Sequence, residues 1–137
     1  MKYLLDNNIL SEPTKKQPAA SVLNHLDLEG IFACTSATVW NELWYGIHRH
    51  PDRKRQQALS DYMQCLLDDG FVVLPFCQQA AEWVAAERVR LEQSGLHPAK
   101  YDSEIAAVAV VNQLTLVTRN VQDFSHFAEL RVVNWFA

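Results

Sequence analysis

The chain predicts an α/β domain built on an open parallel sheet, and three observations carry that reading. Short apolar runs rich in β-branched residues alternate with helical patterns from end to end. The run Phe71–Phe76 lacks polar alternation, as strands covered on both faces do. An acid, Asp6, follows the run Tyr3-Leu4-Leu5 where a first strand should end. In open α/β sheets ligands bind beyond the carboxyl ends of the strands, so this acid stands where chemistry is expected.

Taken in order, Lys2–Leu5 is the first strand. Ser21–Leu28 reads as a helix with Val22, His25 and Leu26 on one face, and Gly30 breaks it before a second strand at Ile31–Thr35. Ser36 suits the N-cap of the next helix, which runs to about His48. Its stripe Val39, Glu42, Leu43 and Gly46 follows the i, i+3, i+4, i+7 spacing of one helix face. Pro51 fits the first turn of a following helix, whose apolar face is Leu59, Tyr62, Met63, Leu66 and Leu67. Gly70 stops it, and Phe71–Phe76 is read as a buried strand. Gln79–Gln93 is helical again and closes at Ser94-Gly95. After the loop Leu96–Tyr101, Asp102 begins a helix with the stripe Asp102, Ile105, Ala106 and Ala109. Leu114–Arg119 is a strand, Val121–Phe127 a short helical turn, and Arg131–Trp135 the last strand.

There is no repeat, low-complexity tract or linker, so residues 1–137 read as a single domain, long enough for one sizeable core. Apolar content of 49% with 20% charged residues describes a globular chain rather than a disordered one. No apolar stretch approaches the roughly 18 residues of a membrane span, and Met1-Lys2 leads straight into a strand with no signal peptide. Cys34, Cys65 and Cys77 are odd in number and form no Cys-x-x-Cys pair, which fits buried thiols in a reducing cytoplasm rather than a disulfide or zinc framework.

Four acids recur at comparable places: Asp6, Glu42 within a helix, Asp102 at a helix start and Asp123 beyond a late strand. Two unit charges about 4 Å apart repel by roughly 4 kcal/mol even at an effective dielectric near 20. A convergent set therefore needs a cation or a proton, and oxygen-only ligands favour Mg²⁺ or Mn²⁺. Blander roles compete. Asp6 suits a helix N-cap, Asp102 complements a helix macrodipole, and Asn120 with Asp123 resembles a capping box. Glu42 resists such accounts, because a mid-helix carboxylate on an apolar stripe is costly unless paired or metal-bound. Glu104 points to a different helix face from Asp102 and reads as a supporting or solvent residue.

The net charge of −4 argues against a strongly basic nucleic-acid binder, but its distribution is uneven. Arg49, Arg53, Lys54 and Arg55, four of the twelve basic residues, fall in one short segment. The segment reads equally as a solvated face or as a phosphate contact, the latter because basic residues near a helix N-terminus oppose the macrodipole. Trp40, Trp44 and Tyr45 read either as core or as an interface. The histidines show no metal-ligand spacing, and neither a Gly-rich phosphate loop nor a nucleophile elbow is present.

Four segments together resemble the PIN domain, specifically the VapC-type toxins of bacterial toxin–antitoxin pairs. They are Leu4-Leu5-Asp6-Asn7-Asn8-Ile9-Leu10-Ser11-Glu12, Asn41-Glu42-Leu43-Trp44-Tyr45-Gly46, Tyr101-Asp102-Ser103-Glu104-Ile105-Ala106-Ala107 and Leu116-Val117-Thr118-Arg119-Asn120-Val121-Gln122-Asp123-Phe124. The resemblance implies a PIN-like α/β/α sandwich with a parallel sheet of about four to five strands, and a Mg²⁺- or Mn²⁺-dependent ribonuclease. Asp6, Glu42 and Asp102 match the family's acidic triad. Asn7 stands where Thr is common, and Asn120 where many relatives carry the fourth acid, so either Asp123 or Asn120 completes the set. Asn8 is a supporting residue, and Thr118 is expected to orient a water on the metal. Cleavage would leave a 5′-phosphate and a 3′-hydroxyl. Implied partners are RNA (tRNA above all), a VapB-like antitoxin that inserts a basic side chain among the acids, and a second copy of the chain.

Two other chemistries with an acid after strand one fall on the sequence. A phosphoacceptor receiver needs an Asp at the end of strand three, where Leu74-Pro75-Phe76-Cys77 stands. A haloacid-dehalogenase-type phosphatase needs a second Asp at position 8, which is Asn8. The remaining alternative is a PIN protein acting mainly as the partner of a DNA-binding antitoxin in transcriptional autoregulation, with weak or no nuclease activity.

Overall fold

A computed structural model describes residues 1–137 and contains five strands and six helices. The elements are β1 (Tyr3–Leu5), α1 (Asn7–Leu10), α2 (Ala20–Glu29), β2 (Ala33–Ser36), α3 (Ala37–His48), α4 (Arg53–Asp68), β3 (Val73–Leu74), α5 (Gln78–Gln93), α6 (Lys100–Val111), β4 (Thr115–Val117) and β5 (Arg131–Val133). Short 3₁₀ turns occupy Glu12–Thr14, Gly30–Phe32 and Val121–Phe124. The strands form one sheet in the order β3-β2-β1-β4-β5, and every pairing is parallel. This is the α/β architecture expected, with the strand count at the upper end.

The order of the strands locates the site. From β1 the chain builds outward to β2 and β3, then returns to lay β4 on the other side of β1 and β5 beyond it. Crossovers are right-handed, so this reversal sends the two sets of connections to opposite faces. In folds of this kind the switch point, here between β1 and β4, is where ligands bind beyond the strand ends. Asp6 ends one of those strands and Thr118 the other.

Several boundaries move for local reasons. The stretch Gly30–Phe32 coils into a 3₁₀ turn with Ile31 exposed, so β2 starts at Ala33 rather than at Ile31. The Phe71–Phe76 run yields only the two-residue β3, half-exposed at the sheet edge and not a buried strand. Pro51 lies outside α4 and not in its first turn. Asp52 is the N-cap, its side chain accepting from the Lys54 amide at 3.0 Å. That carboxylate offsets part of the charge of Arg53 and Lys54 at the helix start. Asp102 is the third residue of α6, behind the cap at Ala99, and so does not begin the helix. Ser36 does cap α3, accepting from the Val39 amide at 3.1 Å.

The core is set by Leu4, Leu5, Val39, Ile105, Leu116 and Phe124, all fully buried. α6 is buried on nearly every side from Ile105 to Ala109, because it packs against α5, α3 and β4 at once. Its alanines permit that closeness. α5 ends at Gly95, whose φ of 76° lies in the left-handed region that glycine enters without penalty.

One buried carboxylate serves structure alone. Glu87 of α5 takes two hydrogen bonds from the Arg90 guanidinium and one from the Ala128 amide. It thereby ties α5 to the loop ahead of β5. Glu87→Ala leaves the Ala128 N–H without that acceptor and is expected to cost about 1–3 kcal/mol. Denaturant unfolding checks this, and a loss well below that range would show the loop to be held by other contacts.

Candidate active site

Asp6 is built into the end of β1. Its own amide still donates to Val117 of β4 at 2.9 Å, and the Thr35 hydroxyl occupies the Leu5 carbonyl at 2.7 Å, so the chain is held on both sides where it leaves the sheet. The Asp6 side chain caps α1, accepting from the Asn7 amide at 2.8 Å with Oδ1. The capping role weighed on sequence grounds is real, and it uses only one oxygen. Oδ2 accepts from the Thr118 hydroxyl at 2.7 Å and from the Asn8 amide group at 3.4 Å. The residue is 4% exposed.

Asn8 and Thr118 form the clamp around it. Asn8 also donates to the Thr118 hydroxyl oxygen and accepts from the Arg119 amide at 3.0 Å. Thr118 is fully buried, and its hydroxyl oxygen also accepts from the Asn120 amide at 3.0 Å. Its single O–H is spent on Asp6. Thr118 therefore orients the Asp6 carboxylate.

Glu42 approaches from α3 and is half-buried. The Asn7 side-chain amide donates to its Oε2 at 3.1 Å, whereas Oε1 is buried with no hydrogen-bond partner. Unsatisfied buried carboxylate oxygens are costly and call for an explanation. Burial raises the Glu42 pKa to about 7, with Asp6 and Asp102 adding to the rise and Asn7 opposing it. Burial likewise raises Asp102 to about 6, with contributions from Asp6 and Asp123. Asp6 is raised by burial too, against the hydrogen bonds from Thr118, Asn7 and Asn8, with Asp123 adding a little. The four carboxylates are thus one electrostatic group, with Asp6 and Asp102 each coupled to the other three.

They do not share one simple pocket. Glu42 opens on one side, where a cavity is bounded by Asn7, Asn41, Tyr45 and Tyr101. Asp102 and Asp123 line a separate hollow with Gln122 and His126. Asp6 is buried between. No three of the acids are placed to hold one ion as they stand, so ligation requires rotation of the more exposed side chains. The donor set fits a hard cation all the same. It consists of oxygens alone, is rich in mutual repulsion, and includes one orphaned oxygen on Glu42.

At the fourth position Asp123 is exposed, and the Val121–Phe124 turn has no side-chain cap. The capping-box account of Asn120 and Asp123 therefore fails. Asn120 uses its backbone N–H on Thr118 and is itself exposed. Glu104 accepts from Thr38 at 2.9 Å and lies with the lining of a different cavity, away from the acids.

The basic segment divides. Arg49 stacks over the Tyr45 ring at 5.1 Å, and Arg53 and Lys54 are exposed. Arg55 turns inward to donate to the Thr14 carbonyl. Trp40 packs against the core, Trp44 stacks on His48, and Tyr45 is 64% exposed. Tyr101 and Lys15 escaped the sequence reading, although Tyr101 is the neighbour of Asp102. The periodicity of a helix says nothing about which exposed residue borders a distant acid.

The raised values carry a stability signature. Glu42 and Asp102 are harder to ionise when folded than their ordinary values of 4.5 and 3.8, so ionisation weakens the fold. Their contribution is whole below those values and is lost as pH rises through about 6 and about 7. Glu12 and Glu87 are lowered by their partners and act in the opposite sense, losing stability only as pH falls below 4.5. Metal-free protein should therefore gain thermal stability as pH falls from about 7 toward 4.5. Glu42→Gln should flatten that slope. Calorimetric melting across this range checks it, and a midpoint that falls with pH would contradict the shared-charge account.

A PIN domain model matches residues 3–130. Ribonuclease VapC2 of Rickettsia felis is 30% identical over 137 residues, covering 98% of both chains. The crystal structure of FitAcB from Neisseria gonorrhoeae is similar with a TM-score of 0.89 at 30% identity over 98% of each chain. That of VapBC2 from Rickettsia felis, bound to a DNA fragment from their promoter, has a TM-score of 0.84 at 29% identity, covering 98% of this chain and 99% of that one. With the family model spanning nearly the whole chain and a relative 30% identical over 98% of both chains, the chain belongs to the PIN-domain family, with homologues named VapC ribonucleases.

Proposed function

We propose that this chain is the toxin of a type II toxin–antitoxin pair and a Mg²⁺- or Mn²⁺-dependent ribonuclease that hydrolyses RNA phosphodiesters, with tRNA the favoured substrate class. One observation carries the reading. Four carboxylates are coupled at the sheet's switch point, and one of them, Glu42, holds a buried oxygen that nothing in the protein satisfies. A purely structural role would have supplied a cation or a donor there. The relatives named ribonuclease and the VapBC neighbours support the same assignment.

Asp6, Glu42, Asp102 and Asp123 would hold the cation. When bound, it supplies positive charge at the scissile phosphate and lowers the pKa of water. The chain prepares the rest. Thr118, Asn7 and Asn8 fix Asp6 in one orientation, so no reorganisation is needed at that ligand. Asn7 engages one oxygen of Glu42 and leaves the other for the ion. Asp102 and Asp123 enter from the opposite side and are free to rotate. Arg49, Arg53, Lys54 and Arg55 are the candidates for RNA phosphate contacts. A VapB-like antitoxin would compete with RNA by inserting a basic side chain among the acids. Tyr45, the most exposed aromatic of α3, is the leading contact for that antitoxin or for a second copy in a homodimer.

A second reading has an observation of its own. The VapBC2 neighbour was solved on a DNA fragment from its promoter, which fits a chain serving mainly as the partner of a DNA-binding antitoxin in autoregulation. Purified, antitoxin-free protein assayed on RNA with and without Mg²⁺ or Mn²⁺ separates the two. Cleavage only with metal supports the nuclease, and none under either condition supports the partner role.

Asp6→Asn and Asp102→Asn should each lower metal-dependent cleavage by more than about 100-fold, exceeding the effect of losing a supporting residue around a metal. Their stabilities should diverge. Asp102→Asn removes repulsion and should raise the metal-free melting temperature, whereas Asp6→Asn also disrupts a carboxylate that accepts three hydrogen bonds. An active Asp6→Asn protein would end the assignment. At the fourth position Asp123→Ala should weaken Mn²⁺ affinity by about 10-fold or more, and Asn120→Ala much less. Titration calorimetry decides between them, and a loss confined to Asn120→Ala would move the role there.

A further inference from the structure

A groove of about 350 Å³ runs from Glu42 between the first 3₁₀ turn and the α3–α4 hairpin. Its floor is apolar, formed by Leu43, Ile47, Leu59 and Met63, and Asn7 and Glu42 belong both to it and to the acid site. Lys15, His50 and Arg55 stand along it. The charge of Lys15 is already met by Glu12 at 2.9 Å. Arg55 differs. It is half-buried, fixed on the Thr14 carbonyl, and paired with no carboxylate. His50 accepts from the Asp52 amide at Nδ1, which leaves the proton on Nε2 as a further donor.

A guanidinium held inward without a counter-charge, in a groove that ends at a nuclease-like centre, asks for an anion. We infer that this groove seats the single-stranded RNA nucleotide next to the scissile phosphate, with Arg55 on its phosphate and the apolar floor beneath its base and ribose. The inference builds on the nuclease reading and adds the direction in which substrate leaves the centre. Single-stranded RNA suits the groove because cationic walls and apolar platforms together bind strands whose bases are unstacked. Arg53 and Lys54 are exposed and lie outside the groove lining.

Gly46 offers a clean test. It lines the groove, and a Cβ built on it meets nothing within 4 Å. Leucine is also the better helix residue, so Gly46→Leu fills the groove without strain in α3. Binding of a fluorescent single-stranded RNA oligonucleotide is followed by anisotropy in EDTA, where nothing is cut, for wild type, Gly46→Leu and Arg55→Gln. Both variants are expected to weaken binding by about 10-fold, and Arg55→Gln to flatten the salt slope by about 0.7, one phosphate contact on a single strand. Melting temperature and Mn²⁺ affinity report that the fold and the acid centre persist. Unchanged RNA affinity and salt slope in both variants would overturn the inference, leaving the groove to a protein partner. Wild-type cleavage is measured in parallel. Groove-dependent binding without metal-dependent cleavage sinks the nuclease reading alone, and intact cleavage with groove-independent binding sinks the groove alone.

Discussion

Everything at this site depends on a carboxylate that the fold buries where the chain leaves its first strand. Asp6 is 4% exposed, and burial without compensation would cost several kcal/mol. Within the protein, compensation comes from three hydrogen bonds: the Asn7 amide, the Thr118 hydroxyl and the Asn8 side chain. Two of these donors are local and one comes from a residue 112 positions away. The bond to Thr118 exists only because β1 and β4 are neighbours, which is the same pairing that creates the switch point. Sheet order and site chemistry are therefore one constraint.

The other acids are arranged by their relation to Asp6. Glu42 and Asp102 come from α3 and α6, which pack on each other, and both are driven upward by burial and by Asp6. The protein supplies hydrogen bonds to hold Asp6 but leaves its neighbours strained. Under the proposed metal-dependent reading, this asymmetry would give one preorganised central carboxylate and outer carboxylates that adjust around it. Asn7 is the joint between the two halves, because its backbone caps onto Asp6 and its side chain reaches Glu42.

The surface repeats that division of labour between opposite charges. The acidic centre would repel an RNA backbone, and the chain as a whole is negative. Positive side chains are instead concentrated on the α3–α4 hairpin, and they are used differently. Arg49 lies on a tyrosine, Arg53 and Lys54 remain in solvent, and Arg55 is drawn into the groove beside Glu42. A run of charges in sequence is thus not one patch in space. Helical geometry turns successive residues by about 100°, so neighbours in the chain face different surroundings.

The sequence by itself determined the α/β class, the alternation of elements, the caps at Ser36 and Gly95, and the acids worth following. These are local matters: hydrophobic period, turn chemistry and the cost of a carboxylate on an apolar stripe are all written within a few residues. Edges were less legible, since a run such as Phe71–Phe76 looks the same whether the sheet covers it or leaves it at the rim. Only the tertiary structure decided that Thr118 spends its hydroxyl on Asp6, that Asn7 engages Glu42, and that Asp123 couples to Asp102 while Asn120 turns its amide to Thr118. It alone separated Arg55 from Arg53. The physical reason is that hydrogen bonds and charge coupling act over a few ångströms, and which distant residues come within that range is set by strand order and helix packing, quantities that no local pattern encodes.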